Sequence, residues 1–237
     1  MLLIYFANME VSWRWLCVCA LLGVVVVRSQ DLHFQHITTE DGLSDNAITC
    51  LFEDRTGYIW IGTERGLNRY DGQRVERCEP GASGPLGAHI TGIAEDRKGR
   101  LWFSTADAGL SMRDTSGVFT HFRKDSTDAH ALPTNNLNDV LVIDDSLLVL
   151  SSRGWGAIWY HLRKGVVQRR GFRPRLINTE GDTAFSFEDN WCHTALLLKD
   201  GRLWLAMLRN TGSYVVDAYS GELSTLLPSV GLVTNAV

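Results

Sequence analysis

The sequence predicts an all-β chain built as a β-propeller, from about four four-stranded antiparallel blades in an incomplete ring. Three observations carry this. One sequence pattern recurs every 40–50 residues or so, the spacing of propeller blades. Short β-rich runs alternate with Asp- and Gly-containing turns. No comparable run with helical periodicity appears after residue 30.

The first two copies are the clearest. Glu53-Asp54-Arg55-Thr56-Gly57 is followed by Ile59-Trp60 and Thr63; Glu95-Asp96-Arg97-Lys98-Gly99 is followed by Leu101-Trp102 and Thr105. The third copy carries Asp144-Asp145 at its turn, and Val149 stands in the tryptophan position. The fourth carries Asp200-Gly201 and Trp204. Within a copy the strands read as A to D. Asp54, Asp96 and Asp200 start A–B hairpins that Gly57, Gly99 and Gly201 close, because glycine accepts the left-handed residue such turns need. Tyr58-Ile59-Trp60-Ile61 is apolar on both faces, as expected of a strand covered on each side by neighbouring sheets. Trp60, Trp102 and Trp204 therefore read as core residues filling the wedge between blades. The blades are expected at about 43–80, 86–123, 132–172 and 187–228. A fifth lead-in at 231–237 parallels Leu43-Ser44-Asp45-Asn46.

The N-terminus differs. Arg14 precedes an apolar run from Trp15 to Val27, long enough for a signal-peptide core and short for a membrane span. Residues 1–29 are expected to be a signal peptide or N-terminal anchor, and residues 30–237 an exported periplasmic propeller segment. Any membrane contact would run through that first segment. Cys50, Cys78 and Cys192 follow no zinc or disulfide spacing and read as small apolar fillers.

With 23 basic against 27 acidic residues, the net charge of −4 gives no reason to expect nucleic-acid binding. No nucleophile elbow, phosphate loop or zinc-protease motif is present, and the histidines lack ligand spacing. No catalytic residue, metal or cofactor is expected. Ligand recognition is expected at the end that carries the B–C loops and D–A connectors. The candidates there are Arg65, Asp107, Arg153, Trp155, Arg209 and Asn210, whose charged and amide groups suit hydroxyls or carboxylates. Trp155 stands off the repeat and is the candidate stacking surface.

Leu43-Ser44-Asp45-Asn46, Asp54 to Gly57, Ile59 to Thr63 and Gly66-Leu67-Asn68-Arg69-Tyr70-Asp71 together resemble the two-component regulator propeller repeat. The resemblance implies the periplasmic sensor region of a hybrid sensor histidine kinase, here cut before its membrane helix and kinase, with an oligosaccharide or other small ligand. Its implied partners are further blades or a second copy. The alternatives are a stand-alone exported propeller that binds protein or glycan, and a propeller lyase.

Overall fold

The computed structural model describes residue 34 and residues 36–81, 83–162, 166–168, 191–207 and 213–227. The chain divides into Met1–His36 and Ile37–Val237. The proposed signal segment, the fifth lead-in, and Arg209 and Asn210 all lie outside the described residues.

Among the described residues the second unit holds sixteen strands in four sheets. Blade 1 comprises β1 (Ile48–Glu53), β2 (Ile59–Thr63), β3 (Gly66–Tyr70) and β4 (Val75–Cys78). Blade 2 comprises β5 (Ile90–Glu95), β6 (Leu101–Thr105), β7 (Gly109–Arg113) and β8 (Phe119–Phe122). Blade 3 comprises β9 (Leu137–Asp144), β10 (Leu147–Ser152), β11 (Gly156–His161) and β12 (Val166–Gln168). Blade 4 comprises β13 (Cys192–Leu197), β14 (Arg202–Met207), β15 (Ser213–Asp217) and β16 (Leu223–Leu227). Each blade pairs its strands antiparallel in chain order, as the sequence predicts.

Successive blades pack through their first strands, β1 on β5, β5 on β9 and β9 on β13. Among the described residues this stacking does not return from β13 to β1, so the sheets form an open arc and not a ring. The core lies between blades. Trp60 and Leu67 pack with Ile90, Leu101 and Phe103 at the first junction. Trp102 and Leu110 pack with Leu137, Val140 and Leu148 at the second. Val149 and Trp159 pack with Cys192, Leu203 and Leu205 at the third.

Strand registers give the packing a direction. On each A and B strand, one cross-strand pair faces the next blade: Phe52 with Trp60, Ala94 with Trp102, and Leu141 with Val149. The adjacent pair faces the preceding blade: Ile93 with Phe103, Val140 with Leu150, and Ala195 with Leu205. Trp60 meets Phe103 at 5.5 Å between ring centroids, with Arg113 of blade 2 5.5 Å from the indole. Blade 3 lacks the B-strand tryptophan, but Trp159 on β11 is the register partner of Val149 and fills the same interface. Its indole donates to the Ala218 carbonyl of blade 4 at 2.8 Å.

Trp204 departs from the expected burial. It occupies the same B-strand position, yet it is 36% exposed where Trp60 and Trp102 are 2% and 1%. Its register partner Leu196 is 52% exposed. These two face the side on which a further blade would sit. Asp200 also departs from its expected role. Leu198, not Asp200, makes the turn-closing backbone bonds that Asp54 and Asp96 make in blades 1 and 2. Asp200 instead binds Arg202 through its amide and guanidinium.

Cys50 and Cys78 lie on β1 and β4, opposite edges of blade 1, and both are free thiols, as is buried Cys192. Burial pushes Cys50 and Cys78 up to about 11 and Cys192 to about 12, which keeps the nucleophilic thiolate scarce.

Candidate functional site: the loop end of the arc

The A–B turns explain the Glu-Asp-Arg-x-Gly motif. The Asp54 carboxylate accepts from the Thr56 amide (2.9 Å), the Tyr58 amide (3.1 Å) and the Trp60 indole (2.7 Å). Asp96 repeats this with the Lys98 and Arg100 amides and with the Trp102 indole at 3.1 Å. The aspartate thus fixes the turn and holds the tryptophan. Burial pushes both carboxyls up. For Asp54, hydrogen bonds from Thr56, Trp60 and Tyr58 outweigh it; for Asp96, those from Arg100 and Trp102, with the Arg100 charge, do the same. Both end below the ordinary carboxylate value. Gly57 and Gly99 close the turns with φ of 88° and 78°. The motif's arginine reaches the next blade: Arg55 pairs with Glu95 at 2.5 Å and donates to the Arg97 carbonyl at 3.0 Å. These turns are structural, and they stand at the opposite end from the B–C loops.

At that other end the B–C loops of blades 1 to 3 are pinned in the same way. The Thr63 hydroxyl donates to the Gly66 carbonyl (2.9 Å), Thr105 to Gly109 (2.9 Å) and Ser152 to Gly156 (2.8 Å). Backbone bonds tie each loop to the residue before strand A: Glu64 to Ala47, Ala106 to His89 and Arg153 to Asn136. The recurring Thr and Gly therefore hold short, rigid loops that project two or three side chains.

Arg65 is exposed and pairs with Asp45 at 3.1 Å. Asp107 is exposed, with its carboxylate against Gly87, where an added Cβ would collide with it. Arg153 is exposed and lies over the Trp191 ring at 4.4 Å, a cation–π geometry. Trp155 is half-buried and packs against the core between blades 2 and 3. Arg65 sits on blade 1, Asp107 on blade 2, and Arg153 and Trp155 share the loop of blade 3; among the described residues no ion pair joins Arg65, Asp107 and Arg153 to one another.

Sequence reasoning missed Trp191. It lies just before β13, where the other blades have no tryptophan, and that off-repeat position was the available signal. A second missed set lies on the A strands. Each begins with a β-bulge, which leaves one residue outside the ladder: Thr49, Thr91, Asn138 and His193. The first three each donate a side-chain hydrogen bond to the first A-strand carbonyl of the next blade. Thr49 reaches Ile90 (2.6 Å), Thr91 reaches Leu137 (2.9 Å) and Asn138 reaches Cys192 (2.6 Å). Beside them Asp139 of blade 3 accepts from the Thr194 hydroxyl of blade 4 and from the Val140 amide. Burial raises the Asp139 carboxyl more than these bonds and His193 lower it. Among the described residues no group of acidic, His and Cys side chains is arranged to hold a metal.

Residues 42–65 and 84–107 match the two component regulator propeller family. The chain therefore carries the two component regulator propeller repeat, in the two blades where the motif is fullest. A 73-residue stretch is 32% identical to a protein named Histidine kinase P4 from Formosa agariphila, covering 27% of this chain and 5% of that protein. Among solved structures, the extracellular domain of BT3049 from B. thetaiotaomicron, named as a hybrid two component system, superposes with a TM-score of 0.65 at 20% identity. The match covers 81% of this chain and 26% of that domain. The extracellular domain of BT4673 from the same organism, named as a one component system, gives 0.62 at 20% identity over 82% and 27%. Virginiamycin B lyase from Staphylococcus aureus gives 0.57 at 14% identity over 79% and 57%. At these identities the structural likenesses show the propeller fold alone. The chain spans about a quarter of the extracellular domains it matches. Among the described residues no helix is long and apolar enough to cross a membrane.

Proposed function

We propose that this blade array is part of the periplasmic ligand-sensing region of a two-component sensor, with the B–C loop end as its ligand face and an oligosaccharide as its ligand class. The observation that carries the reading is the two component regulator propeller match at residues 42–65 and 84–107, set in stacked four-stranded blades. The extracellular placement of the structural neighbours and the kinase name of the sequence relative support it. The loop end offers suitable chemistry. Arg153 and Trp191 present a cation beside an aromatic face, and Arg65 and Asp107 add exposed charge. Aromatic faces stack on sugar rings, and arginine donates in a planar fork to hydroxyls and carboxylates. Sensing of this kind needs no bond-making step in these blades; the ligand acts by favouring one arrangement of the region over another.

Calorimetric titration with a panel of neutral and uronic-acid oligosaccharides tests the reading. Saturable binding by one class is expected, weakened about tenfold (~1.4 kcal/mol) by Arg153→Ala. Binding that is indifferent to Arg153, Trp191, Arg65 and Asp107 substitutions would overturn the assignment of the face.

A further inference from the structure

The Arg153–Trp191 pair straddles the junction between blades 3 and 4, and a carboxylate is built into that junction. The residue after each A-strand bulge is Cys50, Gly92, Asp139 and Thr194 on blades 1 to 4, so Asp139 is the one carboxylate at this position. Its side chain lies between two of its counterparts. Toward blade 2 it fills the space over Gly92, where an added Cβ would collide with it. Toward blade 4 it accepts from the Thr194 hydroxyl, and the Ala195 amide adds a backbone bond. Asn138 beside it donates to the Cys192 carbonyl at 2.6 Å. Asp139 pairs in register with Ser151, two residues before Arg153, and Thr194 follows Trp191 by three. At ~3.3 Å per strand residue, the carboxylate and the cation–π pair are about 7–10 Å apart along the same junction. Cys50 of β1 and Cys192 and His193 of β13 are the titratable groups that share its field; the facing positions of β5 and β10 are Gly92 and Ser151, which carry no charge.

We propose that Asp139 is a positioning residue for the ligand face: its gain of a proton tightens the junction of blades 3 and 4 and holds Arg153 over Trp191, so that ligand binding strengthens in acid. This rests on the reading of the loop end as the ligand face and adds the regulation of that face. Burial disfavours the charged carboxyl more than its hydrogen bonds and His193 favour it. An ionised group held between blades therefore works against their contact. The neutral group still accepts from Thr194 and gains a donor of its own. The Cys50 and Cys192 thiols, pushed up to about 11 and about 12, stay neutral while Asp139 titrates. By linkage, a ligand that needs the tightened junction favours uptake of that proton when it binds.

The indole N–H resonances of the 237-residue chain, labelled at tryptophan and followed from neutral pH downward, read the switch without any ligand. The Trp191 signal, assigned by its loss in Trp191→Phe, is expected to move with a single-proton midpoint above the ordinary carboxylate value. Asp139→Asn is expected to abolish the movement and to hold the signal near its acid position already at neutral pH. Histidine titrates in a neighbouring range; His193→Gln is expected to keep the movement, which separates the two groups. Thr194→Val removes a bond to the charged form and is expected to raise the midpoint; it carries the test if Asp139→Asn loses its cooperative melt. A Trp191 signal indifferent to pH, a movement that persists in Asp139→Asn or one lost in His193→Gln would overturn the proposal. So would a midpoint unmoved by Thr194→Val. The neutral oligosaccharides of the calorimetric panel are expected to bind more tightly in acid than at neutral pH, and equally at both in Asp139→Asn. Binding that ignores pH in the wild type would overturn the coupling to the ligand. If none of them binds while the Trp191 signal titrates, the ligand reading fails and the coupling of Asp139 to Trp191 is supported.

Discussion

Trp102 and Trp204 occupy the same strand position in the same repeat, on blades 2 and 4. Trp102 is enclosed by Leu110, Leu137, Val140 and Leu148, and its indole donates to Asp96. Trp204 stands at the end of the arc, where Leu198 replaces the aspartate that would receive its indole. Full burial in this fold is completed by the next blade, not by the strand that carries the side chain alone. The repeat writes one half of a junction, and its energy is realised only when the other half arrives, as nearest-neighbour stacking in repeat proteins requires.

The contrast between inner and outer faces can be broken by mutation, and the effects should rank by how completely a junction encloses each group. The largest is expected at Phe103, which is fully buried and touches both Trp60 and Phe119. Phe103→Ala should cost about 3–5 kcal/mol in denaturant unfolding. Next is Asp96→Ala, which strips the Trp102 indole and the turn amides of their acceptor and should cost about 1–3 kcal/mol. Smaller still are the bulge residues. Thr91→Val keeps the shape but removes the bond to Leu137, at about 0.5–1.5 kcal/mol.

Two kinds of carboxylate should give opposite responses to pH. Asp54 and Asp96 have lowered folded-state values, so their contribution is complete above the unfolded carboxylate value and is lost as pH falls through the folded one. Asp139 has a raised folded-state value, so its charge costs stability at neutral pH, and that cost is relieved as pH falls through the folded value toward the unfolded one. Melts from pH 7 downward should show Asp139→Asn equal to or above wild type at neutral pH, with its advantage shrinking on acidification. Asp54→Asn should show the reverse, a deficit at neutral pH that narrows in acid.

The blade pattern was legible because its signals are local. The Asp-x-x-Gly turns, the B-strand apolar runs and the Thr–Gly loop pins each lie within a few residues of one another. What joins one blade to the next was less so. Thr49 and Ile90, or Arg55 and Glu95, lie 40 or more residues apart, and their pairing depends on a bulge and a turn direction that no single repeat displays. Blade 3 hid its tryptophan by moving it across the register from Val149 to Trp159, which keeps the volume at the junction but breaks the motif. At the loop end, the charged residues of the B–C loops could be named from the strand order. Trp191 could not be paired with Arg153, because the contact crosses from blade 3 to the connector before blade 4.

Unfolding of Trp102→Ala and Trp204→Ala, measured side by side under conditions in which the wild type is monomeric, tests the central claim most directly. The account predicts a loss of about 3–5 kcal/mol for Trp102→Ala and a clearly smaller one, about 1–2 kcal/mol, for Trp204→Ala. Equal losses would contradict it, because they would mean that the tryptophan stabilises its own blade and not the junction with the next.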